Sequence, residues 1–89
     1  MEDCSVEVNI LFFAKSKELT GKSVDVVNLK KSNCLDNLLK EIIHTYPALN
    51  ILKGRFIIAH NQAYLRDTKE VVILETGDEI AIIPPISGG

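Results

Sequence analysis

Apolar and polar positions alternate strictly at the start of the chain. In "VEVNILFFA" (6–14), Val6, Val8, Ile10 and Phe12 share one side, with Leu11 and Phe13 on the other. A period of two predicts a strand laid on a core, with Phe12 inside and Phe13 on the far face. "KSKELTG" (15–21) is polar and predicts one helical turn at most, stopped by Gly21. "SVDVVNL" (23–29) is rich in β-branched residues and predicts a second strand, antiparallel to the first.

The period then changes. Leu35, Leu38, Leu39, Ile42, Ile43 and Tyr46 fall at i, i+3, i+4, i+7, i+8 and i+11, one stripe of an α-helix. The helix should run from about Cys34 to about Tyr46, capped by Ser32 or Asn33, with Asp36 completing a capping-box-like spacing. Pro47 ends it, because the residue before a proline resists the α region. Asn37, Lys40, Glu41 and His44 form its solvated face. "GRFIIAHNQ" (54–62) reads as a third strand, and "NQAYL" (61–65) as a tight turn with a short edge strand. A turn at Thr76–Gly77–Asp78 leads into a last strand, "EIAII" (79–83), ended by Pro84 and Pro85, which cannot donate to a ladder.

The order β, β, α, β, short β, β describes an α+β roll of about five strands with one main helix on one sheet face. The first and last strands are the most apolar. Side by side at the centre they would be parallel, with the helix in the crossover, which is the β-grasp arrangement. Residues 1–83 make this domain and 84–89 an extended tail.

Composition narrows the function. The apolar fraction of 46% and charged fraction of 25% are globular values. A formal charge of −2, with ten scattered lysines and arginines in no run longer than two, argues against nucleic-acid binding. No apolar run has membrane-spanning length, and the acidic start "MEDCSVEV" is not a secretory leader, so a cytosolic location is expected. Cys4 and Cys34 stand alone, without CxxC or clustered histidines, and no metal or bound cofactor is expected. His44 and His60 read as solvated histidines, and Glu75, Asp78 and Glu79 as turn and surface carboxylates that serve solubility and steering. The chain offers no triad or phosphate loop and should have no activity alone.

The end of the sequence, "IIPPISGG", is its most unusual stretch. Two prolines stiffen the root of the tail towards polyproline II, and two residues without side chains close it. Seven residues from Ile83 to Gly89 reach at most about 23–25 Å. Such a thread can present a terminal carboxylate inside a narrow enclosed site, where a side chain at position 89 would crowd the reacting carbon.

Three pieces read together carry a resemblance: "ILFFAKSKELTG" (10–21), "AHNQ" (59–62) and "GDEIAIIPPISGG" (77–89). In this order and spacing the chain resembles the small, sulfur-carrier subunits of molybdopterin synthase. Those proteins typically show Phe-Phe-Ala, an Asn-Gln turn, and Gly-Asp-Glu leading to Pro-Pro-x-(Ser/Thr)-Gly-Gly. They often carry an aromatic before the prolines, where this chain has Ile83. The resemblance implies a ubiquitin-like β-grasp fold. It implies that an ATP-dependent, ubiquitin-activating-type adenylyltransferase acts on the Gly89 carboxylate, and that sulfur then replaces the activated oxygen as a thiocarboxylate. The charged tail, with Gly88 beside the reactive group and Pro84, Pro85 and Ser87 positioning it, would enter the synthase large subunit. There it would donate sulfur to a pyranopterin precursor. A dithiolene needs two sulfurs, so two charged carriers serve each product, and a dimer of large subunits with a carrier at each end is implied. Phe13, Leu65, Ile83 and Ile86 are candidates for the docking surface. Two other readings use the same terminus: a ubiquitin-like protein modifier, and a sulfur carrier for thiamine or tRNA thiolation.

Overall fold

A computed structural model describes residues 5–52 and 55–84. Ser5–Phe12 (β1), Val24–Lys30 (β2), Ile57–His60 (β4), Ala63–Leu65 (β5) and Glu79–Ile83 (β7) form one mixed sheet in the order β2-β1-β7-β4-β5. β1 and β7 lie side by side at its centre and run parallel, from Asn9↔Glu79 to Phe12↔Ile82. Every other neighbour is antiparallel. The central parallel pair predicted from the apolar character of the first and last strands is therefore present.

The main helix is Leu35–Thr45 (α2), within one residue of the predicted span at each end. Its stripe packs as the pattern requires: Leu35, Leu38, Ile42 and Tyr46 are buried, and Leu39 and Ile43 are packed against the core. They meet Val8, Ile10, Phe12, Leu29, Ile58, Ile80 and Ile82 from the sheet, in one core. Leu38, Ile42, Ile10, Ile80 and Ile82 are wholly inaccessible. Truncating one such side chain to alanine costs about 2–5 kcal/mol, a large share of the stability of a small domain.

Three local expectations are corrected. The polar stretch after β1 is a six-residue helix, Lys15–Thr20 (α1), more than one turn, closed by Gly21 at φ 73°. Only there and at Gly77 (φ 90°) does a described glycine take the left-handed conformation that its missing Cβ permits. Second, neither Ser32 nor Asn33 caps α2. Both lie in a short strand, Ser32–Cys34 (β3), paired with Val71–Ile73 (β6) in a separate two-stranded sheet that the periodicity did not anticipate. Cys34 holds the N-cap position without a side-chain bond. The first amides of the helix are satisfied from outside instead: Leu35 N–H donates to the Glu70 carbonyl at 3.0 Å and Asp36 N–H to Thr68 at 3.1 Å. Third, Pro47 ends α2 but opens a 3₁₀ segment, Pro47–Leu52, which buries Leu49.

Candidate functional site

One face of the five-stranded sheet is covered by α2. The other face has no covering element among the described residues, and its chemistry is not that of an ordinary solvated face. The pairings set Val24, Leu11, Ala81, Ala59 and Tyr64 in one row across all five strands. The next row towards the C-terminal end of β7 contains Phe13, Ile83 and Ile57. Two alanines between taller neighbours make a trough. A groove of about 480 Å³ results, lined by Leu11, Phe13, Ala59, Gln62, Tyr64, Glu79, Ala81 and Ile83. Phe13 is 47% exposed and Tyr64 56%, and Val24, Val26 and Ile57 are exposed on the same face. A free sheet face usually alternates to polar side chains, so a contiguous apolar one marks an interaction surface.

The structure divides the predicted docking residues. Phe13 and Ile83 meet on this groove. Leu65 does not: it pairs with Ile58 on the helix-covered side and packs against the core. Its neighbour Tyr64 takes the exposed place. The signal was available in "HNQA", because a two-residue turn pairs His60 with Ala63 and so sets Tyr64 opposite Ala59. Pro84 is buried, so the chain stays packed on the body to that point. Pro85, Ile86, Ser87, Gly88, Gly89 and Cys4 lie outside the described residues.

The groove's aromatic corner is held by an unusual turn. Ala14 has φ 53° and ψ −128°, close to the first central position of a mirrored type II turn, where glycine is the usual residue. A non-glycine residue there stores about 1–3 kcal/mol of strain. The turn brings Ser16 back under Phe13, where it is fully buried. Phe13 N–H donates to Ser16 Oγ at 3.0 Å, and Ser16 Oγ–H donates to the Phe13 carbonyl at 2.7 Å, within 3.3 Å of the Ile82 carbonyl.

At the opposite end of β7, two residues read as solvated form a clasp. His60 Nε2 lies 2.7 Å from Asp78 Oδ2, and both side chains are largely buried. Asp78 Oδ2 also accepts the Glu75 N–H at 2.9 Å, and Asn61 Oδ1 accepts the Glu79 N–H at 2.8 Å. The His60 hydrogen bond, followed by that of Glu75, holds the Asp78 carboxyl below its ordinary range. The cluster joins two turns, and Asp78 is structural rather than a free surface charge. His44 is exposed, as its place on the helix predicts. Cys34 is a free, partly exposed thiol.

A sheet with a parallel central pair, one crossing helix and an apolar free face beside the end of the last strand defines a ubiquitin-like β-grasp protein. The ThiS family model matches residues 10–89, and the chain belongs to that family. A relative in Anopheles gambiae, named molybdopterin synthase sulfur carrier subunit, is 43% identical over 91 residues, covering 96% of this chain and 94% of its own length. Among solved structures, small archaeal modifier protein 1 from Methanosarcina acetivorans superposes with a TM-score of 0.73 at 26% identity, over 96% of this chain and 98% of that one. A complex of subunits 1 and 2 of the molybdopterin-converting factor from Helicobacter pylori contains a chain that superposes at 0.65 and 24% identity, covering 94% of this chain and all (100%) of its own.

Proposed function

We propose that this chain is the sulfur-carrier subunit of a molybdopterin synthase, active only with a larger partner subunit. The observation that carries the reading is the apolar face that surrounds the end of β7, where the sequence continues into Pro-Pro-Ile-Ser-Gly-Gly. A carrier needs a place to dock and a thread to insert, and here they adjoin. The Helicobacter pylori relative is itself joined to a second subunit, which supports a large-subunit partner here.

The chemistry follows from the terminal group. At neutral pH the Gly89 carboxylate is ionised and a poor electrophile. Its oxygen attacks the α-phosphorus of ATP on a ubiquitin-activating-type enzyme, pyrophosphate leaves, and an acyl adenylate forms. Sulfide-level sulfur then attacks the acyl carbon and AMP departs. The resulting thiocarboxylate is carried into the large subunit, where its sulfur bonds to a carbon of the pyranopterin precursor, water cleaves the acyl–sulfur bond, and the Gly89 carboxylate returns. The groove on Phe13, Tyr64 and Ile83 seats the carrier while the tail reaches inward.

The test converts Gly89 to the thiocarboxylate and mixes the protein with a large subunit and the precursor. Dithiolene product, together with return of the carboxylate mass, is expected. No product from a competent large subunit would overturn the reading. Docking is tested separately: Phe13→Asp should abolish measurable binding to the large subunit, and native affinity would remove the groove from the interface. Likeness to an archaeal modifier protein favours one second reading, conjugation of the same terminus to lysines. Lysine conjugates detected by mass spectrometry in place of dithiolene product would establish it.

A further inference from the structure

We infer that Ser16 is a positioning residue for the docking face: its hydroxyl ties Phe13 to the end of β7, so that the aromatic ring and the exit of the tail are presented as one rigid unit. The partner in this proposal rests on the sulfur-carrier reading; the geometry does not.

Ser16 lies in a polar stretch and opens a helix, a place where a serine usually caps. It does not cap here. The N-cap position is Ala14, with no side-chain cap bond, and the Ser16 hydroxyl points back into the preceding strand. A fully buried hydroxyl needs partners, and this one finds all of them at a single junction. Its oxygen lies 2.7 Å from the Phe13 carbonyl oxygen and 3.3 Å from that of Ile82, so its one proton serves both unequally. Its lone pair accepts the Phe13 N–H at 3.0 Å. That same N–H reaches the Ile82 carbonyl at 3.3 Å, a longer bond than the 2.9 Å from Asn9 N–H to the Asp78 carbonyl at the other end of the β1–β7 ladder. The side chain thus reinforces the ladder where it would otherwise loosen.

The junction has a job beyond stability. Phe13 projects into the groove one residue after β1 ends, and Ile82 precedes Ile83 and Pro84, where the chain leaves the sheet. Ala14, in the left-handed region without glycine's freedom, gives this segment a standing tendency to relax. Without the hydroxyl, the Phe13 N–H keeps only the long bond to Ile82 while its carbonyl keeps the Ser16 N–H at 3.1 Å, and the ring gains freedom to leave the pose that the groove uses.

The experiment compares wild type with Ser16→Ala, Ser16→Cys and a distant core control, Ile42→Val, chosen for a similar loss of melting temperature. Amide exchange at Phe13 and at Ile10 is read by NMR, and affinity for a molybdopterin synthase large subunit by titration. Ser16→Ala should speed exchange at Phe13 about tenfold relative to Ile10 and weaken binding about tenfold. Ser16→Cys should fall between, since a thiol is a weaker and longer-reaching partner, and it carries the test if the alanine variant does not fold. Ile42→Val should change neither ratio. Phe13 exchange that keeps step with Ile10, or an affinity loss no greater than that of Ile42→Val, would overturn the proposal. If wild type itself fails to bind, the carrier reading falls, and the Phe13 exchange ratio still decides the role of Ser16.

Discussion

Tyr46 closes the helix and does two things at once. Its ring stands edge-on to Phe12 with centroids 4.9 Å apart, and its hydroxyl donates to Asp25 Oδ2 at 2.7 Å. Burial, then the Asp25 bond, pushes the Tyr46 phenol well above its usual range, while that bond holds Asp25 below the carboxylate range. Asp25 Oδ1 accepts the Val26 N–H at 2.9 Å, so one carboxylate also covers an amide of the edge strand β2. A carboxyl group with a depressed folded pKa adds stability above its unfolded pKa and loses it as pH falls through the folded value. A phenol with a raised one adds stability below its unfolded pKa and loses it as pH rises through the folded value. Tyr46→Phe keeps the ring and removes the donor. It should cost about 1 kcal/mol at pH 7, the Asp25 side chain being partly exposed. The gap from wild type should narrow as Asp25 protonates below about pH 4, and urea midpoints across pH 2.5–7 measure it.

Elements show where local pattern and tertiary context part. Ser32 and Asn33 looked like caps because serine and asparagine before an apolar stripe usually are. What competed was strand pairing: β3 takes both residues, and the 68–70 loop supplies the carbonyls that a cap side chain would have replaced. Ser32→Ala should therefore change stability by less than about 0.5 kcal/mol, a surface value rather than a cap value. Asn33 is buried, and its Nδ2 donates to the Lys30 carbonyl at 2.6 Å, so Asn33→Ala should cost about 1–2 kcal/mol through the β2–β3 corner. Thermal melts give both values. In the β4–β5 hairpin, Asn61 and Gln62 both have positive φ, 50° and 73°, which is the turn that prefers Asn-Gly. Gln62→Gly should raise stability by about 0.5–1 kcal/mol, read as a higher denaturant midpoint with an unchanged slope.

At the scale of the molecule, the five strands of the main sheet and the main helix were legible because each has one buried side, and burial writes its period into the residues. Phe12 inside and Phe13 outside followed from that alone. The site was legible only in part. Tyr64 and Leu65 are adjacent and both apolar, so choosing between them requires the register of a three-residue strand. The His60–Asp78 clasp joins residues eighteen apart whose types are common on surfaces. Ser16 was hidden for a similar reason, since a serine in a polar stretch announces nothing until the fold brings β7 beneath it. The division of β5 into two faces predicts opposite outcomes for neighbours. Tyr64→Ser should leave the melting temperature near wild type and weaken large-subunit binding, whereas Leu65→Ser should lower the melting temperature by several degrees, about 1–3 kcal/mol, with binding changed little at temperatures where it is folded. Calorimetry and titration on the same samples separate the two.

The central position of β7 also has a mechanical meaning. Its two neighbours grip it along its length, one parallel and one antiparallel. A force applied at its C-terminal end and directed along the strand meets those hydrogen bonds in shear, all loaded together, instead of opening them one at a time like a zip. An edge strand pulled along its axis would shear against one neighbour; this one must slide past β1 and β4 at once. A pull on the end of β7 is therefore shared between two neighbouring strands of the central sheet before it reaches the rest of the body.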